Sequence, residues 1–78
     1  MKTVKVCLDS IDKVKGFVGA LALFDSDFDM RSGRYTIDAK SILGIFSLDL
    51  SKPIDLDIYD EENQEAILEV IRPYLLEE

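Results

Sequence analysis

The chain has 78 residues, 47% hydrophobic and 32% charged, with a formal net charge of −7 and no histidine. A chain this short buries only about 60% of its unfolded surface, which leaves room for one core and predicts a single domain over residues 1–78. The acidic balance disfavours nucleic acid, whose phosphates must be met by clustered Lys and Arg, and the apolar runs fall far short of the roughly 20 residues that span a bilayer.

Residues 3–8 alternate, with Val4, Val6 and Leu8 on one face and Thr3, Lys5 and Cys7 on the other, the period of a half-buried strand. Met1-Lys2-Thr3 leads straight into it, so neither a signal peptide nor an anchor is expected. Cys7 is the single cysteine. Alone it forms no internal disulfide, and without histidine it builds neither a zinc site nor a cysteine–histidine nucleophile pair. A cytoplasmic setting with no cofactor follows as the expectation.

The polar patch Asp9-Ser10-Ile11-Asp12 precedes Val14, Phe17, Val18, Leu21 and Phe24, whose spacings of three and four predict a helix over residues 11–24. Gly16 and Gly19 each lower its propensity by about 1 kcal/mol relative to alanine; on one side of the helix they would allow a close approach to the sheet. The run DSDFDM at 25–30 has acids at alternate positions, but Met30 falls where an EF-hand needs glycine and Thr36 where it needs the bidentate glutamate, so a solvated loop is expected.

Phe28 and Met30, then Tyr35 and Ile37, alternate with polar residues around Ser32-Gly33, which predicts a β-hairpin. Ser41 is a candidate N-cap for a short helix carrying Ile42, Ile45 and Phe46 at helical spacing. After Lys52-Pro53, Ile54, Leu56 and Ile58 alternate with Asp55 and Asp57, a fourth strand with one wet face. Asp60 is placed to cap a last helix with Ala66, Ile67, Val70, Ile71 and Leu75 on its apolar stripe, kinked or ended by Pro73. The order β-α-β-β-α-β-α predicts an α+β fold, a four-stranded antiparallel sheet with three helices on one face.

Charge is unevenly spread. Residues 1–20 carry Lys2, Lys5, Lys13 and Lys15 against Asp9 and Asp12, a balance of +2, whereas residues 55–78 carry nine acids against Arg72, a balance of −8. A protein or phosphate partner at the basic end and a solvated acidic end are the matching expectations.

The stretch KSILGIFSLDL, Lys40 to Leu50, resembles the Lys-Ser-Ile-Met-Gly-Val-Met-Ser-Leu segment of HPr, the histidine-containing phosphocarrier protein of the bacterial sugar phosphotransferase system. The register continues upstream without a gap through Ser26-Asp27, Phe24 and Phe17, and the element order matches over nearly the whole chain. The resemblance implies the HPr open-faced β-sandwich.

It also implies a changed chemistry. The family passes phosphate through a histidine in a Gly-Ile-His-Ala-Arg-Pro-like motif; by ungapped register Ser10 stands at the histidine, Asp12 at the arginine and Lys13 at the proline. An imidazole nitrogen carries a transferable phosphoramidate, whereas a serine phosphate is a stable ester, so histidine phosphotransfer is not expected. An aspartyl phosphate at Asp9 or Asp12 would restore transfer potential, but both are more simply turn and capping residues.

Ser41 matches the serine that a kinase/phosphorylase modifies with ATP in the family, after which a transcriptional repressor binds. The chain is similar in this respect to the regulatory catabolite-repression HPr, which also lacks the histidine. A phosphate at a helix N-terminus meets unpaired backbone N–H groups, and Lys40, Lys13 and Lys15 are the candidate neighbours. Asp12 would repel that phosphate where the family's arginine helps read it.

Ile42, Ile45 and Phe46 carry two readings, as sheet-covering core or as the apolar surface with which the family docks protein partners. The chain as a whole therefore carries two as well, a regulatory protein phosphorylatable on Ser41, or a constitutive interaction module in which Ser41 is only a cap. An enzyme is not expected, since no metal cluster or glycine-rich phosphate loop occurs and Ser10 has no base in the sequence around it.

Overall fold

A computed structural model describes residues 1–76. Glu77 and Glu78 of the acidic C-terminal segment lie outside the described residues. The elements are β1 (Lys2–Val6), α1 (Ile11–Leu21), β2 (Phe28–Ser32), β3 (Tyr35–Asp38), α2 (Ile42–Phe46), β4 (Ile54–Ile58) and α3 (Gln64–Ile71), followed by a single 3₁₀ turn (Arg72–Tyr74). The four strands form one sheet in the order β1-β4-β2-β3 with every pair antiparallel, and the helices cover one face.

Period-2 patterning sets the register. Leu56 at the centre of β4 lies between Val4 and Met30, and Met30 lies opposite Ile37, so one apolar row crosses the sheet. Against this face α1 buries Val14, Phe17 and Leu21, α2 buries Ile45, and α3 buries Ile67 and Ile71. These join Val6, Leu8, Phe28, Ile54 and Ile58 in a single core cluster. Each fully buried aliphatic or aromatic side chain contributes about 1.5–3 kcal/mol relative to exposure.

Several boundaries depart from the sequence pattern. The helix expected over 11–24 stops at Leu21, because the Leu23 and Phe24 amides donate to the Ala20 and Leu21 carbonyls, three residues back, and tighten the chain out of α geometry. Phe24 still packs on the core edge while Leu23 is exposed. The first strand ends at Val6 rather than Leu8: Val6 bridges to Leu75, and the Cys7 amide donates to the Tyr74 carbonyl. Leu75 is thus part of an added edge segment and not of the α3 stripe. Ala66 is exposed and lies off that stripe too.

Asp60 does not cap α3, whose N-cap is Asn63, without a side-chain cap bond. Its carboxylate instead accepts from the Asn63 amide at 3.0 Å, the Asn63 side chain at 2.9 Å and the Ser26 hydroxyl. The two helix glycines also part company. A Cβ at Gly16 would run into the Tyr74 hydroxyl, so this glycine admits Tyr74, whose ring meets Phe17 edge-on at 5.8 Å, whereas nothing lies within 4 Å of a Cβ at Gly19. Neither serves approach to the sheet.

The outer sheet face is polar but only partly wet. Asp57, expected on the solvated side of β4, is 4% exposed. It accepts from Arg31 Nε at 2.7 Å and Nη2 at 2.9 Å and from the Thr3 hydroxyl at 2.7 Å. A buried carboxylate is tolerated only with such partners.

Candidate functional site at the leading ends of two helices

Two helices begin on serines that make the same capping bond. Ser10 has extended backbone, φ −146° and ψ 158°, and its Oγ accepts from the Lys13 amide at 3.2 Å. Ser41 has φ −93° and ψ 104°, and its Oγ accepts from the Gly44 amide at 3.2 Å. Each removes one of the four unpaired N–H groups that a helix start exposes.

The chain is aimed into α2 by Asp38 at the end of β3. Its carboxylate accepts from the Lys40 amide at 2.9 Å and its carbonyl from the Ser41 amide at 3.0 Å. Gly44 keeps the turn tight, since a Cβ there would sit 3.2 Å from Ser41 Oγ and 3.3 Å from Ile37 Cδ1. Ser41 itself is exposed.

A shallow cleft of about 470 Å³ joins the start of α1 to the end of α2, lined by Asp9, Ser10, Ile11, Phe46, Leu50 and Ser51. The structure therefore brings Ser10 and Phe46 together. Ser41 does not line this cleft; it stands at the opposite end of α2, roughly 7 Å away at 1.5 Å per residue.

Around α2 the apolar side chains divide. Ile45 is fully buried in the core, which corrects its reading as a docking residue: it covers the sheet. Ile42 is 38% and Phe46 40% exposed. Two larger contributors escaped the sequence reading, Leu43 at 85% and Ile11 at 61% exposed. The available signal was position: Leu43 is off the stripe formed by Ile42, Ile45 and Phe46, and Ile11 precedes the α1 stripe that starts at Val14. Phe46 lies one turn from both Ile42 and Leu43 and shares the cleft with Ile11, so these four form a connected apolar patch.

The cations expected beside Ser41 are largely engaged elsewhere. Lys13 Nζ pairs with Asp9 Oδ1 at 2.9 Å, and the bond holds the Asp9 carboxyl below and the Lys13 ammonium above their usual ranges. Lys40 Nζ donates to the Phe24 carbonyl at 2.6 Å and lies 5.6 Å from the centre of the Phe28 ring. Lys15 is exposed on α1 with no ion pair among the described residues. Asp12 lies exposed in the first turn of α1, where a negative charge complements the helix dipole. The basic end is thus partly neutralised, Lys5 also pairing with Asp55 at 2.9 Å.

No group of side chains among the described residues could hold a metal ion, and no helix there is long and apolar enough to cross a membrane.

No protein-family model matches the sequence, and no curated protein matches it. Solved structures do. HPr-C-His from Thermoanaerobacter tengcongensis superposes with a TM-score of 0.76 at 22% identity, over 94% of this chain and 89% of that one. The phosphocarrier protein HPr from Bacillus anthracis str. Ames gives 0.70 at 27% identity, over 96% and 94%. The four-stranded antiparallel sheet with helices on one face is the architecture they share with this chain.

Proposed function

We propose that this chain, which shares the architecture of the HPr structures over nearly its whole length, acts by being bound, as an HPr-like regulatory protein phosphorylatable on Ser41 and not as a histidine phosphocarrier. It is a non-enzymatic module of the cytoplasm. Its partners on this reading are proteins: an HPr kinase/phosphorylase that modifies Ser41, and a transcriptional regulator or a phosphotransferase-system enzyme that docks on Ile11, Ile42, Leu43 and Phe46.

One observation carries the reading. The exposed Ser41 hydroxyl sits on the same short helix as the connected apolar patch. A phosphate on Ser41 Oγ would keep the Gly44 N–H as a donor and set a dianion beside an apolar contact surface, which is how a modification changes partner choice. Ser10, at the place of the family's histidine, supports the loss of relay: its Oγ is engaged as the α1 cap, and its phosphate would be a stable ester. Asp9, bonded to Lys13, and Asp12, in the first turn of α1, read as helix-start residues rather than phosphate carriers.

The test is incubation with HPr kinase/phosphorylase and ATP, with the added phosphate located by mass spectrometry. Phosphate on Ser41, lost in Ser41→Ala, is the expected result. No incorporation with a cognate kinase overturns the switch and leaves the second reading, a constitutive module in which Ser41 only caps α2. That reading is favoured by Lys13 and Lys40, both already bonded elsewhere, and by Asp12 in place of the arginine.

A further inference from the structure

A second cleft, also of about 470 Å³, opens between the tip of the β2–β3 hairpin and the loop from α2 to β4, lined by Ser32, Gly33, Arg34, Tyr35, Ser47, Leu48, Asp49 and Lys52. We propose that it binds a small molecule carrying a phosphate group, with Arg34 and Lys52 as its cationic walls. The proposal does not rest on Ser41 or on the α1–α2 face.

The charge arrangement is the first support. In a chain of net −7, Arg34 and Lys52 come from segments 18 positions apart and meet at one opening, and neither forms an ion pair among the described residues. The lining holds these two cations against the single carboxylate of Asp49, a local balance of +1. That carboxylate is turned chiefly to its own loop, accepting from the Ser51 amide at 3.1 Å and the Ser51 hydroxyl at 2.5 Å, with the Lys52 charge a smaller influence on it.

The turn supplies the second. Ser32 pairs with Tyr35 across a two-residue loop in which Gly33 alone has positive φ, +60°, the pattern of a II′ hairpin. The turn brings Ser32, Arg34 and Tyr35 together in the cleft lining, and neither the Ser32 nor the Tyr35 hydroxyl makes a side-chain hydrogen bond among the described residues. A guanidinium fork with neighbouring hydroxyls and an ammonium suits a tetrahedral oxyanion. The ligand is small because the rest of the surface is strongly acidic, so a polyanion extending beyond the cleft would be repelled within the roughly 10 Å screening length. The exposed Tyr35 ring offers an organic substituent a face to lie against.

Amide NMR titration of the full chain with phenyl phosphate, at ionic strength held constant with sodium chloride, tests this. Saturating shifts confined to residues 32–35 and 47–52 are expected. Arg34→Glu and Lys52→Glu should each weaken binding by about tenfold, the scale of one lost charge-assisted bond. Lys2→Glu, the same charge change on the opposite edge strand, should leave it within about twofold. Shifts that never saturate, that spread over every lysine-bearing surface, or that weaken as much in Lys2→Glu as in Arg34→Glu would overturn the site. Both tested side chains are exposed, and unchanged amide positions in the sheet report that the variants are folded.

Discussion

Ser41 holds the start of α2 through one 3.2 Å bond to the Gly44 amide, and substitution there separates capping from modification. Ser41→Ala should lower stability by about 1 kcal/mol, read from urea unfolding. Ser41→Asp retains an acceptor of good capping geometry, so it should recover most of that loss while still blocking phosphate incorporation by the kinase. If Ser41→Ala unfolds at the wild-type midpoint, the cap contributes nothing. The two α1 glycines make a paired prediction of opposite kind. Nothing lies near a Cβ at Gly19, so Gly19→Ala should gain about 0.5–1 kcal/mol from helix propensity alone. Gly16→Ala gains the same propensity but meets the Tyr74 hydroxyl. Its effect should therefore be more favourable in a Tyr74→Phe background than in the wild type, a non-additivity that a double-mutant cycle measures directly.

At the scale of elements, α2 puts a core residue and docking residues side by side, and acidic substitutions tell them apart. Ile45→Asp buries a charge without a partner and should abolish folding, seen as loss of amide dispersion. Leu43→Asp, on the exposed side, should change stability by no more than about 0.5 kcal/mol yet weaken partner binding; unchanged affinity in both Leu43→Asp and Phe46→Asp would remove α2 as a docking surface. The helix is also where sequence legibility ends. The strands and α1 show their faces because four or five alternating residues or three turns fix a period, and Val14, Phe17 and Leu21 are buried as their spacing requires. Five residues make less than two turns, too few for a stripe to show whether Ile45 or Leu43 points inward. The start of α3 was hidden for another reason: Asp60 takes the Asn63 amide three residues on, as a cap would, yet helical geometry begins only at Gln64, and the bond from Ser26, 34 positions away, is a contact no local pattern encodes. The early end of β1 has the same origin, in the Tyr74 carbonyl that takes the Cys7 amide. In the candidate site the serines were legible because capping is local, whereas the Lys40 and Lys13 bonds that draw their charges off depended on tertiary or side-chain geometry.

For the molecule as a whole, the formal charge of −7 hides how firmly its carboxylates are held. Asp9, Asp49, Asp57 and Asp60 all lie below the usual carboxylate range, chiefly through hydrogen bonds from Lys13, Ser51, Arg31 and Ser26 in that order. A carboxyl that is more acidic in the folded chain than in the unfolded one contributes stability fully present above its unfolded value, lost as pH falls through its folded one. The window here runs from about pH 4 down to about 2, because Asp60 moves from 3.8 to about 2. As these four carboxylates lose their charge the balance moves towards the nine Lys and Arg, so cationic repulsion grows as the bonds are lost. Urea midpoints should hold nearly level from pH 7 to 5 and fall steeply between pH 4 and 2. Asp57 belongs to this transition from inside the sheet, where Arg31 and Thr3 bind it across three strands. Arg31→Met strips the buried carboxylate of its counter-ion and should cost about 2 kcal/mol at neutral pH. Because protonation then relieves the unpaired charge, that loss should shrink on acidification, and the wild-type and Arg31→Met midpoints should converge towards pH 2. Parallel curves with a constant gap would show that Arg31 stabilises the sheet by packing its aliphatic stem and not by holding Asp57 ionised.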